Sequence, residues 1–230
     1  MLKIGHRGAR GYAAENTLSS FEKAIDLKVD GIELDVHLSA DDELMVIHDE
    51  TIDRTTNGKG LVNSFTRAEL ENFSIEGKEK TPTLSAVFDL VDRRCFINIE
   101  LKSFETAAKV VALIEKYIRE KHWKYTDFIV SSFNWDTLEE VNFVNPEIPI
   151  AVLTETDLDK ALAFAKIIQA KAINPDFQLL NIENTKKLQE NGFEVYPWTV
   201  NETADIKKMQ SFNVNGIISD FPDKISFSNH

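Results

Sequence analysis

The sequence predicts an α/β protein whose eight parallel strands close into a barrel. Three observations support this. From residue 82 onward, short apolar runs alternate with stretches of helical periodicity, as in a parallel sheet built from right-handed crossovers. Together with the strands before residue 82 the parallel strands number eight, enough to close a barrel. The competing architecture, an open doubly wound sheet, wants a glycine-rich phosphate loop after its first strand, and GHRGARG does not match GxGxxG.

The elements follow in order. Residues 2–6 form the first strand, and Leu18, Phe21, Ala24 and Ile25 recur at helical spacing, with Asn16 or Thr17 as N-cap. GIELDVHL, beginning at residue 31, alternates as a strand. The polar turn SADDE then leads into LMVIH, 44–48. A turn that short joins antiparallel strands, so this pair is a hairpin and only 31–37 counts toward the parallel set. Residues 49–81 are polar and glycine-punctuated and predict a small inserted subdomain, with its tip at Asn57 to Gly60, inside a single domain of residues 1–230. Strands at 95–102, 128–132, 150–153, 171–174, 193–198 and 216–219 complete the barrel, each separated from the next by a helical stretch.

Composition narrows the class. The chain of 230 residues is 43% hydrophobic and 28% charged, which excludes disordered and fibrous proteins. Twenty-six Lys and Arg against 38 Asp and Glu leave a net charge of −12, unsuited to nucleic acid or to stable association with an anionic membrane. An anionic substrate must then be drawn by local positive charge or by a metal. Cys95 lies in the apolar run RRCFINIEL and reads as a small buried hydrophobe. The opening MLKIGHRG has no apolar leader and no later stretch reaches the length of a membrane span, so the expected location is cytoplasmic. Oligomeric state is left open.

Polar residues cluster at one end of the predicted strands, where barrel enzymes carry their chemistry. His6 and Arg7 close the first strand, and Ser131, Asn174, Trp198 and Asp220 close later ones. Glu33 and Asp35 are two apart in one strand and share a face, as do Glu100 and Lys102 in the next. Three carboxylates converging on one mouth repel one another, and a divalent cation relieves that repulsion; all-oxygen ligands favour Ca²⁺ or Mg²⁺. The alternative is a structural ion network with Arg7 and Lys102. His6 and His48 are the candidate proton-transfer pair, because imidazole titrates near neutral pH. His37, His122 and His230 read as structural. Arg7 and Lys102 supply positive charge for a phosphate. Trp198 is a candidate pocket wall, with an ordinary core aromatic as the alternative.

The set HRG…ENT, ELD, IHDETIDRTTNGKG, ELK, SSFN, WTVN and GIISDFPD, in this order from residue 5 to about 223, resembles the glycerophosphodiester phosphodiesterase family. The resemblance implies a TIM barrel with an insertion after the second strand, where residues 49–81 fall. It also implies divalent-cation-dependent hydrolysis of a small-molecule glycerophosphodiester to an alcohol and sn-glycerol 3-phosphate. Carried over by motif, His6 and His48 are the acid–base pair, Glu33, Asp35 and Glu100 the metal ligands, and Arg7 and Lys102 the phosphate contacts. Ala14 departs from the proline many members carry before ENT, which costs loop rigidity alone. Two other readings stay open: a barrel phosphodiesterase for lysophospholipids or phosphoinositides, with Phe65 and Phe73 as an apolar rim, and a non-catalytic binding barrel.

Overall fold

Parallel pairing runs almost unbroken around the molecule. The structure, a computed structural model, describes residues 1–226, so His230 lies outside the described residues. Strands β1 (Leu2–Gly5), β2 (Gly31–Leu38), β4 (Phe96–Leu101), β5 (Phe128–Ser132), β6 (Ile150–Thr154), β7 (Ala172–Pro175), β8 (Glu194–Val195) and β9 (Gly216–Ser219) pair in that order, with β9 returning to β1. The β8–β9 seam is joined by single backbone bonds: Asn215 N donates to Val195 O (3.1 Å) and Ile218 N to Pro197 O (3.0 Å). β3 (Leu44–Val46) stands off the barrel path, antiparallel to β2, with Val36 opposite Val46.

Two expected strands are shorter than predicted. The returning hairpin arm stops at Val46, although Ile47 N still donates to Asp35 O (3.0 Å), and His48 lies beyond the strand. β8 spans two residues where 193–198 was expected. Pro197 has no N–H to extend a ladder. Contact with β7 nevertheless continues, through Tyr196 N to Ile173 O (3.2 Å) and Trp198 N to Pro175 O (3.2 Å).

Strand alternation sorts the apolar side chains into two layers. One set fills the inside of the barrel: Ile4, Ile129, Ala151, Ala172, Tyr196 and Ile218. The small side chains of Ala151 and Ala172 share this layer with the large ring of Tyr196, as packing at fixed volume requires. The other set packs outward against the helices. There Phe88, on the helix Leu84–Val91, meets Phe128 and Tyr117 with ring centroids 5.0 Å apart. Cys95 joins this outer layer, and burial pushes its thiol up to about 12, as for an inert hydrophobe.

Between β3 and the helix Leu84–Val91 the chain builds a small cluster of its own. Ile52, Val62 and Leu70 pack with Met45 and Ile47, and Phe65 meets Phe73 edge-on at 5.3 Å. Those two phenylalanines are half-buried against this cluster. The expected tip is also tied down: Asn57 N donates to Ser74 O (3.0 Å), and Asn57 Oδ1 accepts from Ser74 N (2.7 Å).

Candidate active site

Strand register assembles the mouth. Asp35 on β2 lies opposite Glu100 on β4, Glu33 opposite Asn98, and Glu100 opposite Ser131 on β5. Period-two alternation turns all of these inward at the C-terminal end of the barrel. Glu33, Asp35 and Glu100 then each present an oxygen within 4.8 Å of the other two.

The turn after β1 brings in the opposite charge. Arg7 sits at φ 49° and Gly8 at φ 85°. A Cβ on Gly8 would lie 2.6 Å from the backbone of Ser20, so only glycine lets the chain pass the first helix here. Arg7 adopts a conformation uncommon for a side-chain-bearing residue, of the kind found at functional sites. Its backbone N–H donates to Glu33 Oε2 (2.9 Å), its Nε lies 3.3 Å from Asp35 Oδ2, and its Nη1 donates to Glu15 (2.7 Å). From β4, Lys102 Nζ reaches Glu100 at 2.7 Å and Asp35 at 3.5 Å.

The ion network and the metal site are therefore not exclusive: two cations face three carboxylates, Glu33 and Asp35 buried and Glu100 half-buried. The uneven balance shows in their titration. Burial, with Asp35 and Glu100 close by, pushes Glu33 well above the usual carboxylate range. Burial also pushes Glu100 up to about 7, assisted by Asp35 and opposed by Lys102. For Asp35, Arg7 and Lys102 outweigh burial and hold the group low. Asp35 Oδ1 is buried and accepts no hydrogen bond from any described residue. Surplus negative charge, an oxygen-only donor set and a buried carboxylate oxygen that accepts no hydrogen bond, its nearest cation Lys102 Nζ at 3.5 Å, together suit a hard divalent cation.

Each histidine is oriented through Nδ1. His6 Nδ1 lies 2.6 Å from Asp220 Oδ1, and Asn201 donates to the other Asp220 oxygen (2.8 Å). His48 Nδ1 lies 2.6 Å from Asp49 Oδ1. In both pairs Nε2 is left for chemistry, the arrangement of an imidazole held in one tautomer by a carboxylate. Burial lowers both histidines despite those carboxylates, so both rest neutral in the ligand-free protein. His37 is structural at one remove, its Nε2 3.1 Å from the His48 carbonyl.

The mouth opens on two cavities. The inner one, about 180 Å³, is lined by His6, Arg7, Glu33, His48, Glu100 and Trp198, among others. Trp198 is among the lining residues; its Nε1 donates to Asn174 O (2.8 Å) and its ring meets Phe133 edge-on at 5.4 Å. The outer one, a cleft of about 870 Å³, runs between the insertion and the β4 loop past His48 and Lys102.

Several residues at the mouth escape a reading of the sequence. Thr17 caps the first helix (Leu18–Asp26), whereas Asn16, the other cap candidate, donates to Asp35 Oδ2 (2.9 Å). Arg54, from the insertion, donates twice to Glu15 and twice to Asp49, at 2.7–2.9 Å. Glu15 also meets Arg7 and Arg10, and these guanidinium contacts outweigh burial and hold it at about 2. Asp220 alone had a usable signal, since closing the barrel places the last strand beside the first.

Fold and mouth together define a barrel enzyme of phosphoester chemistry. The chain belongs to the glycerophosphoryl diester phosphodiesterase family, which it matches over residues 6–224. It is 37% identical over 239 residues to a glycerophosphodiester phosphodiesterase of Bacillus altitudinis, covering 97% of this chain and 96% of that one. Identity is 36% over 237 residues to a glycerophosphodiester phosphodiesterase of Caldanaerobacter subterraneus subsp. tengcongensis, with 97% and 96% covered. A phosphodiesterase of Oleispira antarctica, solved with its product sn-glycerol-3-phosphate, superposes with a TM-score of 0.89 at 26% identity, over 96% of this chain and 94% of that one. Among the described residues no helix is long and apolar enough to cross a membrane.

Proposed function

We propose that the protein hydrolyses glycerophosphodiesters to an alcohol and sn-glycerol 3-phosphate, with His6 and His48 transferring protons and Glu33, Asp35 and Glu100 holding Ca²⁺ or Mg²⁺. The observation that carries this reading is the single mouth where three carboxylate oxygens lie within 4.8 Å of one another and both histidines line one cavity. Arg7 and Lys102 hold the phosphate, each already drawn to the carboxylates by an ion pair. Glu33, Asp35 and Glu100 would hold the divalent cation, which when bound would supply charge neutralisation to the phosphodiester.

The residues then divide the reaction. His6, neutral and oriented by Asp220, accepts the proton of the attacking oxygen as its bond to phosphorus forms. His48, which lines both cavities, donates a proton to the departing alcohol oxygen as its bond to phosphorus breaks. An anionic diester beside His48 favours the imidazolium that this donation needs. Trp198 covers the glycerol portion in the inner cavity.

Release of sn-glycerol 3-phosphate from glycerophosphocholine, lost with EDTA and restored by Ca²⁺ or Mg²⁺, is the expected result. No release under any cation rejects the activity, and full release in EDTA rejects the metal. A cytoplasmic location belongs to the same reading, and cell fractionation tests it.

The insertion, residues 49–81, acts here as a support for the mouth through Arg54. Removing that guanidinium frees Asp49 and so loosens His48. Arg54→Ala is expected to lower kcat about 10–100-fold, the scale of a small misplacement of a catalytic group. Arg54 is near-half exposed, so melting should shift by only a few degrees. Arg54→Lys restores little, because one ammonium cannot span two bidentate pairs. Unchanged kcat in Arg54→Ala would remove the insertion from the catalytic apparatus.

A further inference from the structure

We infer that the outer cleft is the seat of the departing alcohol and that its charge selects cationic head groups over neutral and anionic ones; this rests on the activity proposed above. The inner cavity is too small for a whole glycerophosphodiester. At about 180 Å³ it is comparable to cavities of about 150 Å³ that accept a six-carbon ring. It also has a polar lining suited to a small polyol. Asn98 Oδ1 and Ser131 Oγ, on residues 2% and 0% exposed, line it without a hydrogen-bond partner among the described residues. With glycerol and phosphate there, the head group must leave past the proton donor.

His48 is the one described residue lining both cavities, and the Lys102–Glu100 ion pair has a member in each. The route past His48 enters the outer cleft, whose 870 Å³ suits a larger group. Four carboxylates line that cleft: Asp42, Asp49, Glu50 and Glu105. Two are compensated, Asp42 by Lys109 at 3.3 Å and Asp49 by Arg54 at 2.7 Å. Glu50 and Glu105 are exposed and have no ion-pair partner among the described residues. The cationic lining residue, Lys102, is already engaged by Glu100 and Asp35. The cleft therefore presents net negative charge to whatever occupies it, and a quaternary or primary ammonium is the head group that such a field attracts.

The test compares kcat/KM for glycerophosphocholine, glycerophosphoethanolamine, glycerophosphoglycerol and glycerophosphoserine with the metal-loaded enzyme at low and high salt. The choline and ethanolamine esters should lead both the uncharged glycerol ester and the serine ester, whose ammonium is offset by its own carboxylate. In Glu50→Gln/Glu105→Gln the ratio of choline to glycerol ester should fall about 3–10-fold, since each exposed charge acts at modest strength through water. The wild-type ratio should also shrink in 0.5 M NaCl, because salt screens exposed charges. Glu105→Lys should move the preference further, toward the glycerol ester. Equal kcat/KM for all four esters, or a ratio unmoved by the double substitution, overturns the inference while leaving the hydrolytic activity in place. Failure to turn over any of the four removes the activity, and the selectivity with it.

Discussion

His6→Ala and His48→Ala each lower kcat on glycerophosphocholine by about 10²–10⁴-fold, the usual worth of one positioned acid or base. Both leave the fold intact, because neither side chain belongs to the apolar layers and both are exchanged at the mouth. The two variants separate on a nitrophenyl ester of glycerol phosphate, whose leaving group departs without a proton. His48→Ala recovers most of its rate on that substrate and His6→Ala does not, because the cleft that receives the alcohol is lined by His48 and not by His6. The opposite rescue exchanges the roles, and near-normal kcat in both variants removes the two-histidine mechanism. Asp220→Asn is the milder companion. It keeps the shape but loses the carboxylate 2.6 Å from His6 Nδ1, so its loss lies on kcat more than on KM.

Glu33→Gln, Asp35→Asn and Glu100→Gln each abolish tight Ca²⁺ or Mg²⁺ binding by calorimetry, and activity falls with it. Their metal-free stabilities also differ. Glu33 is buried and held well above the usual carboxylate range by its surroundings, so its amide relieves a strain and metal-free Glu33→Gln should melt above metal-free wild type. Asp35 is held low by Arg7 and Lys102, so Asp35→Asn removes the carboxylate that both cations share and melts lower. Metal affinity unchanged from wild type in all three variants would sink the site.

The same carboxylates set the pH dependence. In the metal-free protein Glu100 titrates at about 7 against an ordinary 4.5. Between those values the native chain retains a proton that the unfolded chain has released, so metal-free stability falls as pH rises through this window. A cation must displace that proton, so its affinity rises over the same interval. The gain in Tm on adding Ca²⁺ is therefore expected to be small at pH 5 and larger at pH 8, measured by scanning calorimetry. A gain that does not change with pH would show that Glu100 is not a ligand.

Much of the protein is legible from its residues alone, because the relevant rules are local. A period of two determines that Glu33 shares a face with Asp35 and that Glu100 shares one with Lys102. The turn SADDE is too short for anything but a hairpin, which separates β3 from the eight parallel strands. The count of strands, the polar ends and Cys95 as a buried hydrophobe are of the same kind. Strand ends were less legible: at β8, Pro197 cuts the regular ladder to two residues while the chain stays in place beside β7.

Only the tertiary structure decided which distant residues meet. Asp220 reaches His6 across 214 positions because the barrel closes, and Arg54 reaches Glu15 across 39 because the segment after β3 packs beside the loop that follows β1. Asn16 had two acceptable local roles, and the pull of a buried carboxylate at 2.9 Å took it away from capping. The division of the mouth into a small inner cavity and a larger acidic cleft is likewise invisible in the chain. Side-chain periodicity specifies the face on which a group stands, whereas charge pairing and cavity shape depend on the distances between elements. Those distances follow from how the strands and the insertion pack together.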